Sequence, residues 1–145
     1  MTIYKQKLLL VREQEFKYNQ KISSTLDLVD FIRNILQIQN ESQEVAYVLA
    51  LNNKNQFIGF SEIARGGINM CNISKNEIFK NVLLSNCNKF ILIHNHPSGD
   101  PTPSKSDIEV TKEILKGCKI MGIELLDHLI IGDNEYQSIM KYLKI

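Results

Sequence analysis

The segment Phe90 to Asp107, FILIHNHPSGDPTPSKSD, gathers most of the side chains able to do chemistry. His94 and His96 stand two apart at the end of the apolar run FILI. In a strand that spacing puts both imidazoles on one face, where they can take adjacent corners of a zinc tetrahedron. A third ligand must come from elsewhere in the chain. The intervening loop is short enough to fold Asp107, in the first turn of the next helix, back toward them. Two imidazoles and one carboxylate leave the fourth position to water, the layout of a catalytic rather than a structural zinc site. A base must then take the water's proton. Glu62, in the strand-like segment QFIGFSEIAR, is the candidate, and Ser104 can donate to the oxyanion that develops at an attacked carbonyl.

The same residues have a plainer reading. Ser104-Lys105-Ser106-Asp107 is S-x-x-D at a helix start, which a capping box explains without any metal. On that view the two histidines are polar loop residues and Glu62 is an exposed strand position. Both readings stand at this level. Glu77 competes with Glu62 as the acidic partner, but it follows Ser74 by three residues and fits a capped helix better. His128, between Asp127 and Leu129 in an apolar run, reads as a structural histidine rather than a fourth ligand.

The elements that must position these side chains follow from hydrophobic periodicity. Ser24 and Asp27 have capping-box spacing before Leu28, Phe31, Ile32, Ile35 and Leu36, which recur at helical intervals. VAYVLAL (45–51) is apolar on both faces and predicts a buried central strand, with 56–65 returning from the turn at 52–55 and ending at Gly66-Gly67. A capped helix follows Ser74, and FILI (90–93) predicts a second buried strand that ends where an irregular loop begins at His94. Ser104 to Lys116 reads as a helix stopped by Gly117. A strand over 124–131, a short one at 136–138 and a terminal helix complete the series. Leu8 to Val11 is a candidate edge strand. This alternation predicts an α/β sandwich with a mixed sheet, with residues 1–24 as an N-terminal extension or edge strand and 25–145 as the domain.

The chain has 145 residues, one domain's worth, and 17 Lys+Arg against 16 Asp+Glu give a net charge of +1. That balance argues against a large electrostatic footprint for nucleic acid or an anionic membrane, and no apolar run is long enough to span a bilayer. The opening MTIYKQKLLLVREQEF lacks the apolar core of a secretory signal, so a cytoplasmic protein is expected. Cys71, Cys87 and Cys118 are odd in number, without a CxxC pair, and read as small buried hydrophobes.

Taken whole, His94-x-His96, seven residues, Ser104, two residues and Asp107, with a glutamate upstream, resembles the JAMM (JAB/MPN-plus) zinc metalloprotease signature. The string HNHPSGDPTPS (94–104) resembles the RadC branch of that superfamily, and Leu126-Asp127-His128 with Ile130-Ile131-Gly132 is similar to its downstream segment. The resemblance implies an α/β/α sandwich with a central mixed β-sheet, the JAB/MPN, cytidine-deaminase-like architecture. It implies zinc held by His94, His96 and Asp107, Glu62 as general acid/base, and Ser104 supporting the tetrahedral intermediate. The implied activity is a peptidase or isopeptidase acting on a peptide or protein substrate. Full-length RadC-like proteins resemble an N-terminal helix-hairpin-helix region joined to this domain, for which this chain leaves no room, so the family's DNA-repair label carries less weight here. Alternatives are a factor acting on or near nucleic acid, such as those on mobile elements, and a non-catalytic binding module. No H-x-E followed by P-C-x-x-C marks a nucleobase deaminase.

Overall fold

The computed structural model describes residues 1–18, 22–66 and 73–145. Gly67 and Cys71, named above, lie outside them. Helix α1 (Thr25–Phe31) starts on the expected capping box, in which Ser24 and Asp27 exchange hydrogen bonds, and runs into a π-helical turn at Ile32–Leu36. Among the described residues five strands follow: β1 (Val45–Leu51), β2 (Phe57–Arg65), β3 (Lys89–Asn95), β4 (Glu124–Ile131) and β5 (Tyr136–Ser138). Helix α2 (Lys75–Leu84) links β2 to β3, α3 (Lys105–Met121) links β3 to β4, and α4 (Ile139–Leu143) ends the chain.

The sheet order is β2-β1-β3-β4-β5, mixed as expected. β3 and β4 are parallel, joined through α3, while every other neighbouring pair is antiparallel. Because side chains alternate along a strand, β1 feeds both faces. Val45, Leu49 and Leu51 meet α1 and the π turn through Leu28, Val29, Phe31 and Ile32. Val48 and Ala50 meet α2 and α3 through Ile78, Val82, Ile114 and Cys118. Helices therefore cover both faces, and the sandwich is α/β/α.

Of three register shifts in the sheet, two decide how the side chains considered below face its two layers. The β1/β2 register shifts between Ala46 and Tyr47, so that Tyr47 rather than Val48 stands across from Glu62. The β3/β4 register shifts between Phe90 and Ile91, with Leu126 as the extra residue and Leu92 opposite His128. Each bulge turns the remainder of its strand over by one face.

Four local expectations are corrected. β3 continues through His94 and Asn95, because β1 and β4 still pair with it there. Helix α3 passes Gly117 and ends only at Gly122, whose φ of +68° suits a C-terminal cap. Gly117 is instead where Phe79 packs: a β-carbon there would lie 2.4 Å from the ring. Ser74 makes no side-chain cap to α2. Leu8 to Val11 form no strand and are exposed; the N-terminal segment touches the sandwich through Phe16 on Phe60 and Tyr18 on Phe31.

The loop after β3 is docked on the β4–β5 turn. The Gly99 carbonyl accepts from Asp133 N at 3.2 Å, and a β-carbon on Gly132 would meet the Gly99 oxygen at 2.2 Å. Arg33, on the π turn, holds that turn from beneath by donating to the carbonyls of Gly132, Asp133 and Glu135. Gly132→Ala must push the loop off the turn, a backbone clash expected to cost about 1–3 kcal/mol. A drop in the urea unfolding midpoint without a change in slope is the expected result, and an unchanged midpoint would contradict this docking.

Candidate metal centre

The C-terminal ends of the parallel strands β3 and β4 open on one edge of the sheet, and the antiparallel β1 begins there. Ligands in α/β folds gather at such carboxyl ends. His94, the penultimate residue of β3, points into the α2/α3 layer, opposite the small side chain of Ala46. His96 follows one residue past the strand, where its Nδ1 donates to the Asp100 carbonyl at 2.8 Å. The loop then returns to α3, whose first turn carries Asp107.

Ser104 and Asp107 do form the capping box: Ser104 Oγ accepts from Asp107 N at 3.1 Å, and Ser104 N and Oγ donate to Asp107 Oδ2 at 2.7 and 2.6 Å. The cap and the cluster are not alternatives. With Oδ2 held by Ser104, Oδ1 lies 3.4 Å from His94 Nε2, and Oδ2 itself is 3.5 Å from His96 Nε2. The two Nε2 atoms are 3.1 Å apart. Glu44, just before β1, completes the group, with Oε1 4.0 Å from His94 Nε2. Among the described residues these four side chains offer ligand atoms all within 4.8 Å of one another, so the cluster can hold a metal ion.

Electrostatics agrees with that use. Burial alone would raise the Asp107 carboxyl, but the contacts from His94, His96 and Ser104 outweigh it and hold the group far below the usual carboxylate range. The Asp107 carboxylate pushes the His96 imidazole up. Burial pushes His128 well below its ordinary value. An ionised carboxylate only 7% exposed is tolerated where cations or donors surround it.

Glu62 is not part of this cluster. The bulge at the Ala46/Tyr47 step turns it to the face of the sheet opposite His94, where Tyr47 Oη donates to it at 3.2 Å and Arg65 donates through Nε and Nη2 at 2.9 and 2.8 Å. Hydrogen bonding from Arg65 lowers its pKa, the wrong direction for a general base near neutral pH. The glutamate beside the histidines is Glu44, which the sequence reading passed over. Its signal was its place immediately before the buried strand that pairs antiparallel with the histidine strand.

Residues 22–144 match the family described as the RadC-like JAB domain. The chain belongs to the RadC-like JAB domain family. Relatives include UPF0758 proteins of Carboxydothermus hydrogenoformans, 44% identical over 77% of this chain and 49% of the relative, and of Clostridium perfringens, 43% identical over 82% and 52%. A third, from Desulfitobacterium hafniense, is 50% identical over 63% of this chain and 40% of its own length. The chain thus spans about half the length of the curated relatives it matches. No helix among the described residues of this RadC-like JAB domain is long and apolar enough to cross a membrane.

Asn95 fixes the place of Glu44. Buried between the two histidines in sequence, it turns to the other face, where Oδ1 accepts from Val45 N at 2.7 Å and Nδ2 donates to the Gln43 carbonyl at 3.0 Å. These bonds bracket Glu44 on both sides. Asn95→Ala strands a buried N–H and is expected to cost about 1–3 kcal/mol in chemical denaturation. A variant as stable as the wild type would show that β1 finds its start without this clamp.

Proposed function

We propose that this domain is a zinc-dependent metallohydrolase of the peptidase or isopeptidase type, with His94, His96 and Asp107 as ligands and Glu44 as the general acid/base. One observation carries the reading. A zinc ion bound tetrahedrally at about 2.0–2.1 Å separates its ligand atoms by about 3.3 Å. The spacings of 3.1 Å between His94 Nε2 and His96 Nε2 and of 3.4 Å between His94 Nε2 and Asp107 Oδ1 match those edges. Glu44 Oε1 lies 4.0 Å from His94 Nε2, a range one water can bridge.

Bound there, zinc would supply Lewis acidity, lowering a water's pKa to about 7 and polarising a substrate carbonyl. The chain's own residues do the rest. Glu44 takes a proton from the attacking water and delivers it to the leaving amine. Asp107 presents Oδ1 because Ser104 holds Oδ2. The Ser104 hydroxyl proton is engaged in that bond, which favours a role in aiming Asp107 over the direct oxyanion contact that the family resemblance implies. The amide class of substrate comes from the resemblance to JAMM proteases, and a cytoplasmic location from the sequence.

Calorimetric titration of metal-free protein is expected to give one tight zinc per chain, weakened in Asp107→Ala by more than about 100-fold, the upper range for losing an outer partner alone. Absent binding, or binding indifferent to Asp107, would return Ser104-to-Asp107 to a plain helix cap. Glu44→Gln should keep zinc while peptide or isopeptide hydrolysis falls about 10²–10⁴-fold, whereas Glu62→Gln should keep both.

Acid should weaken the site, since protons compete for the imidazole nitrogens that bind metal. Asp107 raises His96 above the ordinary value of 6.5, so the loss of zinc affinity on lowering pH begins above that value. Affinity that is flat across that range would contradict imidazole ligation.

A further inference from the structure

His128 is fully buried, and the reading above gives it no task. Its Nε2 lies 2.9 Å from His94 Nδ1, and its Nδ1 lies 2.7 Å from Thr111 Oγ1. Thr111, fully buried on α3, donates its hydroxyl proton to the Asp107 carbonyl at 2.6 Å. We propose that Thr111 and His128 are positioning residues that set the tautomer of His94, so that its bare Nε2 faces the metal position.

The assignment follows from which atoms can donate. A carbonyl oxygen only accepts, so the Thr111 O–H points at Asp107. With that proton committed, Thr111 Oγ1 must accept from His128, and His128 Nδ1 carries the hydrogen. A neutral imidazole has one N–H, and in His128 it is the one given to Thr111. His128 Nε2 is therefore an acceptor, the proton between the rings belongs to His94 Nδ1, and His94 Nε2 is bare. His96 reaches the same state by a shorter route, since its Nδ1 donates to the Asp100 carbonyl. Two bare nitrogens then face each other at 3.1 Å, which suits a cation between them and is unfavourable without one.

The relay closes on itself. It starts at the backbone carbonyl of Asp107 on α3, crosses Thr111 and His128 on β4, and reaches His94 on β3, whose Nε2 lies 3.4 Å from the Asp107 carboxylate. Ligands from two elements are thus registered through a third. The β4 bulge makes this possible: without the extra residue at Leu126, Asp127 would face the site and His128 the other layer. A metal-bound histidine commonly donates its second nitrogen to a carboxylate or backbone carbonyl. Here a neutral imidazole accepts instead, and it is an acceptor only while Thr111 holds its other end.

This inference rests on the metal reading, and its test separates the two. Thr111→Val keeps the side chain's shape and removes the hydroxyl. Side-chain ¹⁵N spectra of the metal-free protein report each histidine's tautomer, and competition with a chromophoric chelator reports zinc affinity. In the wild type His94 should be the Nδ1–H form. In Thr111→Val, His128 loses its acceptor and takes up the Nε2–H form, and His94 shifts toward Nε2–H. Zinc affinity then falls about 10- to 100-fold, the usual cost of losing an outer partner, and Thr111→Ser restores both readouts. His94 found as Nε2–H in the metal-free wild type overturns the proposal without any variant. So does a Thr111→Val protein with unchanged tautomers and unchanged affinity. If the wild type binds no zinc, the metal reading fails by itself, while the tautomers still decide the relay.

Discussion

The carboxylate of Asp107 is buried, and burial of a charge is tolerable only where each oxygen is satisfied. Oδ2 meets that demand by accepting from the backbone and hydroxyl of Ser104, and so starts α3. Oδ1 faces His94 Nε2 at 3.4 Å, where a cation between them would satisfy both. The start of the helix and the approach of its first turn to the two histidines both run through this one side chain. Helix capping and a place for a metal are therefore compatible in one geometry: the cap fixes the carboxylate's orientation, and in that orientation it can serve as a ligand.

Around that carboxylate the sheet supplies precision. β3 delivers His94 from a rigid strand, β1 delivers Glu44 from its first residues because it runs antiparallel to β3, and β4 delivers His128 from the parallel side. His96, by contrast, sits on a loop, and the loop is made firm by what lies under it. Gly99 and Gly132 allow two backbones to approach too closely for any β-carbon on Gly132, and Arg33 ties the supporting turn to the opposite helical layer. A π-helical turn, which costs regular hydrogen bonding, carries that arginine.

What was legible in the sequence was local. His94-x-His96 and Ser104-x-x-Asp107 are fixed spacings within single elements, and the strands 45–51 and 124–131 announce themselves by apolar runs. What was not legible depends on pairing between distant segments. Glu44 becomes a neighbour of the histidines only through the register that sets Ala46 across from His94. Glu62 was expected at the site, but one bulge turns it to the opposite face, where Arg65 and Tyr47 hold it. A second bulge turns His128 toward the site. Neither bulge has a glycine or proline to mark it. Gly117 misled in the same way: it continues a helix because Phe79 needs the space a side chain would fill.

The most direct test is a crystal structure of the zinc-loaded protein with data collected at the zinc absorption edge. Zinc ligation as proposed predicts one anomalous peak bonded to His94 Nε2, His96 Nε2 and an Asp107 oxygen, with Glu44 beyond bonding distance and Ser104 still capping α3. No peak between these side chains, or a zinc bound without Asp107, would contradict it.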